Sequence, residues 1–384
     1  MIDIPSKPKG VPLTPEQRIA WLRLIRSDNV GPATFRDIIN HCGSAERALE
    51  MLPEFSRRGG AMKKINIFSR EEAEKELEIA DSFGAHFVGL GEPDYPVALR
   101  YIDSPPPLLA VKGEIRTSTL PTIGVVGARN ASIGGLKFTT FICQGIIKAG
   151  YVIISGLARG IDTAAHRASL NSGTIVAMAG GLDCSYPPEN ISLLEEIWNG
   201  VGLAISEMPF GWIPRARDFP RRNRLIAGVG IGLIVIEAAK RSGSLITARL
   251  AGEFGRIVFA VPGSPLDPRY EGTNALIKDG AILITSPEEV IDALNPQIEK
   301  NFFSSPYLVE TIEEKSSMDM LKPSENERTK IAQSLSCAPI YIDDIIEHTG
   351  VEANIIYLVL LELELAGRLY RHPGGMVSLN MTLI

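Results

Sequence analysis

The chain has 384 residues and a formal net charge of -6, with 45% hydrophobic and 22% charged residues. This composition is typical of globular domains and excludes a disordered chain or a histone-like polycation. No apolar run is long enough to span a membrane, and the N-terminus lacks the apolar core of a signal peptide. We therefore expect a cytoplasmic protein without a membrane partner. The four cysteines include no C-x-x-C pair, so we expect no metal site.

Residues 1–85 are predicted to form a helical domain. In "TPEQRIAWLRLIRS", Thr14 is a suitable N-cap, Pro15 suits the first turn, and apolar residues follow at helical spacing. The segment "NVGPATFRDIINHCGSAERALEML" predicts two further helices. Its piece "VGPATFRDII" resembles one hairpin of the helix-hairpin-helix motif, whose glycine turn approaches phosphate; a packing role is the alternative. Residues 86–120 are expected to be a connecting segment packed on the core.

From residue 121 the pattern changes to short β-branched runs that alternate with helical segments. The runs are "TIGVVG", "YVIISG", "TIVAMAGG", "GLAISE", "IGLIVIEAA", "RIVFAVPG" and "AILIT". Such continuous apolar strands, each followed by a turn and a helix, indicate a parallel sheet covered on both faces. Residues 121–295 thus predict an α/β domain with a Rossmann-like doubly wound parallel sheet. The polar residues 296–326 predict a linker, and residues 327–384 predict a winged helix with two strands around residues 373–375.

The loops after the strands are where a ligand of an open parallel sheet binds. After the first strand, "VGARNAS" offers Gly127 for a tight turn, Arg129 projecting from the loop, and Ser132 as a cap of the next helix. Phosphate suits such a site. The dinucleotide fingerprint G-x-G-x-x-G is absent, and "YVIISG" ends without an acid to bind a ribose. We therefore expect no cofactor.

The loops after the second and third predicted strands give weaker evidence for a ligand site. In "SGLARGIDTAAH", Arg159 is a candidate nucleic-acid-binding residue, and Asp162 is interpreted as the N-cap of a helix that carries His166. The favoured interpretation is a cap and a packing histidine, and a functional pair is the alternative. No nucleophile lies at a recognisable spacing from His166. The loop "AGGLDCSYPPEN" is expected to form a rim.

An arginine cluster follows the fourth strand, in what we expect to be an exposed loop. Five arginines and one acid lie between Arg215 and Arg224, around Phe219. A guanidinium binds phosphate bidentately, and an aromatic ring can stack on an unpaired base. The alternative is a solvated loop whose arginines pair with the chain's own carboxylates. After the fifth strand, "KRSGSLITA" adds another anion-binding turn. Candidate residues from the cluster and this turn are Arg217, Phe219, Arg221, Arg224, Lys240, Ser242, Gly243 and Ser244.

An ordered set of motifs connects these loops to a known family. Across residues 121–285 the chain has "GVVGARNAS", "SGLARGIDTAAHRASL", "GGLDCSYPPEN", "FPRRNRLIAG", "EAAKRSGSLITARLA" and "AVPG" followed by "GTNALIKDGA". In these motifs and their order the chain closely resembles the DprA (DNA-processing, Smf) family. The resemblance implies an N-terminal sterile-alpha-motif-like domain and a C-terminal winged helix.

The resemblance also implies a function. The family binds incoming single-stranded DNA in natural transformation, protects it and loads the recombinase RecA, and it is not known as an enzyme. Dimerisation through the Rossmann-like domain is likewise implied, and no catalytic residue is expected. Carried over by position, the DNA pocket comprises Gly127, Arg129, Ser132, Phe219, Arg221, Asn223 and Arg224, with Lys240 and the turn of Ser242, Gly243 and Ser244 at its periphery.

Two other functions are alternatives. The related nucleoside-monophosphate phosphoribohydrolases carry a "PGGxGTxxE" motif, and "AVPGSPLDPRYEGTN" has neither its glycine pair nor its spacing. A transcription regulator would use the winged helix to read operator DNA. However, residues 351–367, which contain the third helix, carry three glutamates and no Lys or Arg. An interaction or regulatory role therefore suits the winged helix better than DNA binding.

Overall fold

The structure is a computed structural model that describes residues 10–299, 323–372 and 374–380. The chain divides into two compact units. One comprises the described parts of Met1–Pro12 and Glu76–Tyr307, and the other those of Leu13–Lys75 and Leu308–Ile384. In the described ranges, no helix has both the length and the apolar character that crossing a membrane requires.

The N-terminal residues fold into helices, as their apolar periodicity predicts. The helices are α1 (Pro15–Arg26), α2 (Pro32–Cys42), α3 (Ala45–Arg58) and α4 (Arg70–Ser82). Thr14 caps α1 with the expected side-chain bond, because its hydroxyl accepts from the Gln17 N–H at 3.2 Å. Gly43 ends α2 in the left-handed region, with a φ of 83°, which glycine adopts without strain.

A nine-stranded sheet forms the centre of the other unit. Its strands are β1 (His86–Gly89), β2 (Leu108–Gly113), β3 (Thr122–Gly127), β4 (Val152–Ser155), β5 (Thr174–Ala177), β6 (Leu203–Ser206), β7 (Gly232–Ile236), β8 (Ile257–Ala260) and β9 (Ile282–Leu283). The spatial order is β1-β2-β6-β5-β4-β3-β7-β8-β9. The seven predicted strands, β3 to β9, are parallel, which confirms the doubly wound sheet. The segment 86–120 adds the two antiparallel strands β1 and β2 at one edge.

Helices cover both faces of this sheet. They are α5 (Ile133–Lys148), α6 (Ile161–Ser169), α7 (Ile191–Asn199), α8 (Asp218–Val229), α9 (Gly243–Glu253), α10 (Glu271–Lys278) and α11 (Pro287–Glu299). Helices α5, α6 and α11 pack on one face, and α8 and α9 pack on the other. The chain places β4 to β6 on one side of β3 and then returns to place β7 on the other side, which creates a topological switch point beside β3.

The C-terminal residues form the predicted winged helix. It consists of α12 (Glu325–Ser334), β10 (Ile340–Tyr341), α13 (Ile342–Thr349), α14 (Ala353–Leu365), β11 (Leu369–His372) and β12 (Met376–Leu379). The strands pair in the antiparallel order β10-β12-β11. Most of the predicted linker, residues 300–322, lies outside the described residues, and α11 extends to Glu299.

The third helix of the winged helix is buried on two sides. One side of α14 contributes Ile356 and Leu360 to the winged-helix core, and the helix also packs against α2 and α3. Glu362, 1% exposed, pairs with Arg328 of α12 and lies 3.8 Å from a guanidinium nitrogen of Arg58 in α3. The two buried sides of α14 require apolar side chains, which accounts for most of the residues of this helix.

Candidate nucleic-acid interface

The carboxyl ends of neighbouring parallel strands bring several loops around one cleft. The cleft has a volume of about 110 Å³. It is lined by Arg129, Gly156, Ala158, Arg159, Tyr186, Pro187, Pro188, Glu189, Phe219 and Arg222. The structure thus brings together three of the predicted site residues, Arg129, Arg159 and Phe219, from three different parts of the chain.

Two aromatic rings lie in the cleft under an exposed guanidinium. The half-buried Phe219 ring meets the Tyr186 ring edge to face, with their centroids 5.6 Å apart. The guanidinium carbon of Arg129 lies 5.8 Å from the Phe219 centroid. Arg129 is exposed, and Tyr186 is 47% exposed. This arrangement offers ring faces for a planar apolar group and a cation for an anion beside it.

The segment "FPRRNR" is the start of helix α8, and the expectation of an exposed arginine loop was wrong. Pro220 lies in the first turn, where proline is tolerated because that turn's N–H groups have no partner within the helix. Along a helix, consecutive side chains point about 100° apart, and residues three apart share a face. Phe219 and Arg222 therefore both reach the cleft, while Arg221 and Arg224 lie on another face.

Arg221 and Arg224 are paired with a carboxylate that lies before them in sequence. The Arg221 Nε atom donates to Glu207 at 3.1 Å, and Arg224 donates to the same carboxylate and to the Ser104 carbonyl, the latter at 2.7 Å. Burial raises the pKa of Glu207, but the Arg224 and Arg221 charges outweigh it and hold the pKa below the usual value. Arg224 is also half-buried. Arg224 therefore stabilises the position of α8. Both Arg221 and Arg224 pair with a carboxylate of the chain itself, as the alternative interpretation of the sequence proposed.

Arg222 is a buried brace beneath the cleft. Its Nη1 donates to the Gly156 and Ala177 carbonyls, both at 2.6 Å, and the Asp162 carboxylate interacts with its charge. Burial lowers the pKa of Arg222 to about 10, so the guanidinium is still charged at neutral pH. Asp162 is not the N-cap of α6, a position held by Gly160. Its carboxylate accepts from the Gly156 and Ala158 N–H groups and so holds the loop after β4.

His166 is a buried packing residue. Its Nδ1 lies 2.9 Å from the hydroxyl of Thr174, which itself donates to the Ile153 carbonyl at 3.0 Å. Since that hydroxyl donates elsewhere, Nδ1 carries the proton and donates to it. Burial, followed by the Arg222 charge, lowers the pKa of His166 to about 3. The imidazole is therefore neutral in the folded protein.

The titration of His166 predicts an acid-sensitive stability. The unfolded state takes up the proton below a pKa of about 6.5 and the folded state only near 3, so acid favours unfolding across this window. Between pH 7.5 and 5 this group alone should lower the free energy of unfolding by about 2 kcal/mol. Urea unfolding at both pH values measures it. His166→Asn, which keeps a donor for Thr174, should lose less stability over that interval, and an equal loss in both proteins would contradict the assignment.

The switch point holds a carboxylate where nucleotide-binding folds hold phosphate. A Cβ on Gly127 would lie 1.8 Å from the Ile236 carbonyl, so glycine is needed for β3 to approach β7. Ser132 caps α5 as expected, its hydroxyl accepting from the Gly135 N–H at 2.9 Å. However, the Ser132 N–H and hydroxyl donate to the buried Glu237, which also accepts from the Tyr270 hydroxyl. Glu237 thus occupies the N-terminus of α5, where the sequence suggested phosphate.

The remaining predicted residues do not line the cleft. The Asn223 amide is buried and donates to the Gly243 carbonyl at 3.4 Å. Ser242 caps α9, and its hydroxyl lies 2.6 Å from that of Ser244. Lys240 and Arg217 are exposed. The turn with Lys240 follows β7, next to β3 at the same edge of the sheet.

Three residues of this edge were not identified from the sequence. Tyr186 had a signal, because an aromatic residue before two prolines in a loop after a strand is a candidate for exposure. Glu207 and Glu237 had no such signal in the sequence. Each follows a strand directly, and its hydrogen-bond partners lie 14 or more residues away along the chain.

Family models match three successive parts of the chain. "DNA recombination-mediator protein A" matches residues 86–295, "DprA-like N-terminal HHH domain" residues 15–79, and "DprA winged helix domain" residues 317–375. The family model that matches residues 15–79 describes a helix-hairpin-helix domain. This agrees with the resemblance of "VGPATFRDII" to one hairpin of that motif, and with the helical domain expected in this part of the chain.

Individual relatives agree with the family models. Protein Smf of Escherichia coli is 36% identical over 82% of this chain and 82% of its own length, and Protein Smf of Synechocystis is 33% identical over 92% and 96%. The X-ray structure of DNA processing protein A from Streptococcus pneumoniae is similar with a TM-score of 0.60 and 34% identity, covering 73% of this chain and 98% of that one.

A second solved structure concerns DNA binding. It is described as giving insights into the unique single-stranded DNA binding mode of DNA processing protein A from Helicobacter pylori. Its TM-score is 0.50 at 29% identity, over 55% of this chain and 96% of that one. With its three matching domains in order and relatives similar along most of its length, the chain belongs to the DprA/Smf family of DNA recombination-mediator proteins.

Proposed function

We propose that this protein binds single-stranded DNA at the cleft and acts as a recombination mediator. In this proposal it protects incoming DNA in the cytoplasm during natural transformation and loads RecA onto it. It works by binding, without catalysing a reaction, and forms a homodimer through the Rossmann-like domain. The dimer, RecA and transformation follow from the family resemblance, whereas the DNA site follows from the cleft.

The observation that carries the proposal is the combination of rings and cations in the cleft. Phe219 and Tyr186 offer ring faces, which bind unpaired bases of any sequence. Arg129 and Arg159 are exposed at the same place and can contact phosphates. Arg159 has a partner in Glu189 at 3.6 Å, but both side chains are more than half exposed, so that pair is weak and easily exchanged for phosphate.

The two other functions have less support. The candidates for an enzyme from the sequence, Asp162 and His166, are buried and hydrogen-bonded, so neither is free to act on a ligand in the cleft. A transcription regulator would read operator DNA with α14, whose surface packs instead on α2 and α3.

Arg129→Ala should weaken the binding of single-stranded DNA without affecting folding, because the side chain is exposed and pairs with no acid in the described residues. The slope of log K against log salt should fall by about 0.7, the value for one phosphate contact to a single strand. Titrations at several salt concentrations measure both. Arg249→Ala on α9 is the matched control, since it removes an exposed arginine away from the cleft. An unchanged slope and affinity for Arg129→Ala would remove the cleft from the proposal.

Two assays test the remaining parts of the proposal. A gel-shift competition between single strand and duplex of equal length should favour the single strand. RecA strand exchange on DNA coated with a single-strand-binding protein should accelerate with the full chain and not with Arg129→Ala. If the wild type and Arg129→Ala accelerated strand exchange equally, RecA loading would not depend on the DNA cleft.

A further inference from the structure

We propose that single-stranded DNA continues from the cleft along the outer surface of α5 and α6. A strip formed by Lys137, Phe141, Lys148 and Arg167, here named the α5–α6 strip, provides the contacts. This inference rests on the proposed function, because it assigns the path of the same ligand beyond the cleft.

The size of the cleft requires such a path. A cavity of about 150 Å³ holds one benzene ring, so a cleft of about 110 Å³ accommodates at most one base, part of which lies outside it. For comparison, an OB fold that binds single strands contacts about 4–16 nucleotides. Most of a bound strand must therefore lie on the surface outside the cleft.

The surface beside Arg129 has the charge that a DNA strand needs. Residues 117–182 contain five Lys or Arg and a single acid, Asp162, although the whole chain has a net charge of -6. Asp162 is buried and hydrogen-bonded to backbone N–H groups. Of the five cations only Arg159 has an ion-pair partner in the described part of the chain. This surface is therefore positive in an otherwise acidic protein.

The strip begins at the cleft and runs along two adjacent helices. Both α5 and α6 start at the carboxyl edge and pack side by side on one face of the sheet. On α5, the exposed residues Lys137, Phe141 and Lys148 lie opposite the buried Ile142 and Ile146. With a rise of 1.5 Å per residue, Lys137 lies about 6 Å and Lys148 about 22 Å from the start of α5.

Phe141 supplies a second ring for a base. Its side chain is 52% exposed, and its ring centroid lies 6.0 Å from that of Phe138. A phenyl ring exposed between two lysines of one helical face combines stacking with phosphate contacts, the combination used by single-strand-binding grooves. Arg167, exposed on the neighbouring helix α6, adds a further cation.

Helix α11 limits the path on one side of the strip. It packs on α5 with Pro287 against Gly145, which lies four residues after Phe141 and three before Lys148, and it carries Glu288, Glu289 and Asp292 but no Lys or Arg. These carboxylates repel phosphate, so the strand must pass Phe141 and Lys148 on the side that faces α6.

The test compares a short oligonucleotide of about two thymidines, one base of which the cleft accommodates, with one of about twenty. Lys137→Gln/Lys148→Gln should bind the short one as the wild type does and the long one more weakly. Its salt slope for the long one should fall by about 1.4, that is, two contacts at about 0.7 each. The affinity deficit should then shrink about sevenfold between roughly 50 and 200 mM salt. Phe141→Ala should bind the long oligonucleotide at least about fivefold more weakly, with an unchanged slope.

Arg249→Gln/Lys278→Gln, which removes two exposed cations from α9 and α10, is the charge-matched control and should leave the slope unchanged. Equal long-strand affinity and slope for the wild type and the α5 double variant would overturn the strip while leaving the cleft in place. A changed oligomeric state of Phe141→Ala with unchanged DNA binding would also overturn it, and would assign Phe141 to a protein contact. If the wild type binds neither oligonucleotide, the proposed function itself fails.

Discussion

Arg222→Ala is expected to lower the free energy of unfolding by about 2–6 kcal/mol, because two buried carbonyls lose their donor at about 1–3 kcal/mol each. The substitution leaves the Asp162 carboxylate without its opposite charge and the Gly156 and Ala177 carbonyls without a donor. Urea unfolding, followed by the transition of the unit that contains the sheet, measures the loss.

Two neighbouring substitutions serve as controls for Arg222→Ala. Arg221→Ala removes an exposed arginine from the same turn of α8 and should cost less than about 1 kcal/mol. Arg222→Lys keeps the charge but loses the planar fork, so its cost should lie between those of the two alanine variants. A loss below about 1 kcal/mol for Arg222→Ala would show that the guanidinium does not brace the loop after β4.

The parallel part of the fold could be predicted because its strands, apart from the exposed edge strand β9, are largely buried on both faces. A run such as "IGLIVIEAA" has no polar alternation and is followed by a turn and a helix, a pattern that few other architectures produce. Strands β1 and β2 were not predicted from the sequence. They join the edge of the sheet in antiparallel orientation, so they lack the crossover helix that identifies a parallel strand in a sequence. The three helices of the winged helix were predicted, but the sequence does not show that α14 packs on α2 and α3.

The candidate site was predicted less completely, for a reason visible in α8. The composition of "FPRRNR" indicates an anion site, but a helix turns neighbouring side chains to different faces. Phe219 reaches the cleft, Arg222 goes into the interior, and Arg224 turns to Glu207. Among the cations that line the cleft, Arg129 and Arg159, on loops, kept the exposure that the sequence suggested, whereas the exposed Arg217, Arg221 and Lys240 lie outside it. Side-chain direction depends on tertiary partners that have no local signal.

The arginines cannot by themselves explain a preference for single strands, because a duplex also presents phosphates and has the higher charge density. A protein that selects single strands must contact something that pairing hides. The faces of unpaired bases are such a feature. In this protein the two rings of Phe219 and Tyr186 are the groups in the cleft that can contact them.

Phe219→Ala is therefore expected to weaken the binding of single-stranded DNA by about fivefold to a hundredfold or more, which corresponds to roughly 1–3 kcal/mol for one stacked base. Duplex binding and the salt slope should change little, because no phosphate contact is removed. The half-buried ring belongs to neither apolar core of the sheet, so thermal unfolding should stay near that of the wild type. Phe219→Trp, which keeps a ring face, should retain most of the affinity. Equal losses of single-strand and duplex binding, or early melting of Phe219→Ala, would show that this ring does not provide the selectivity.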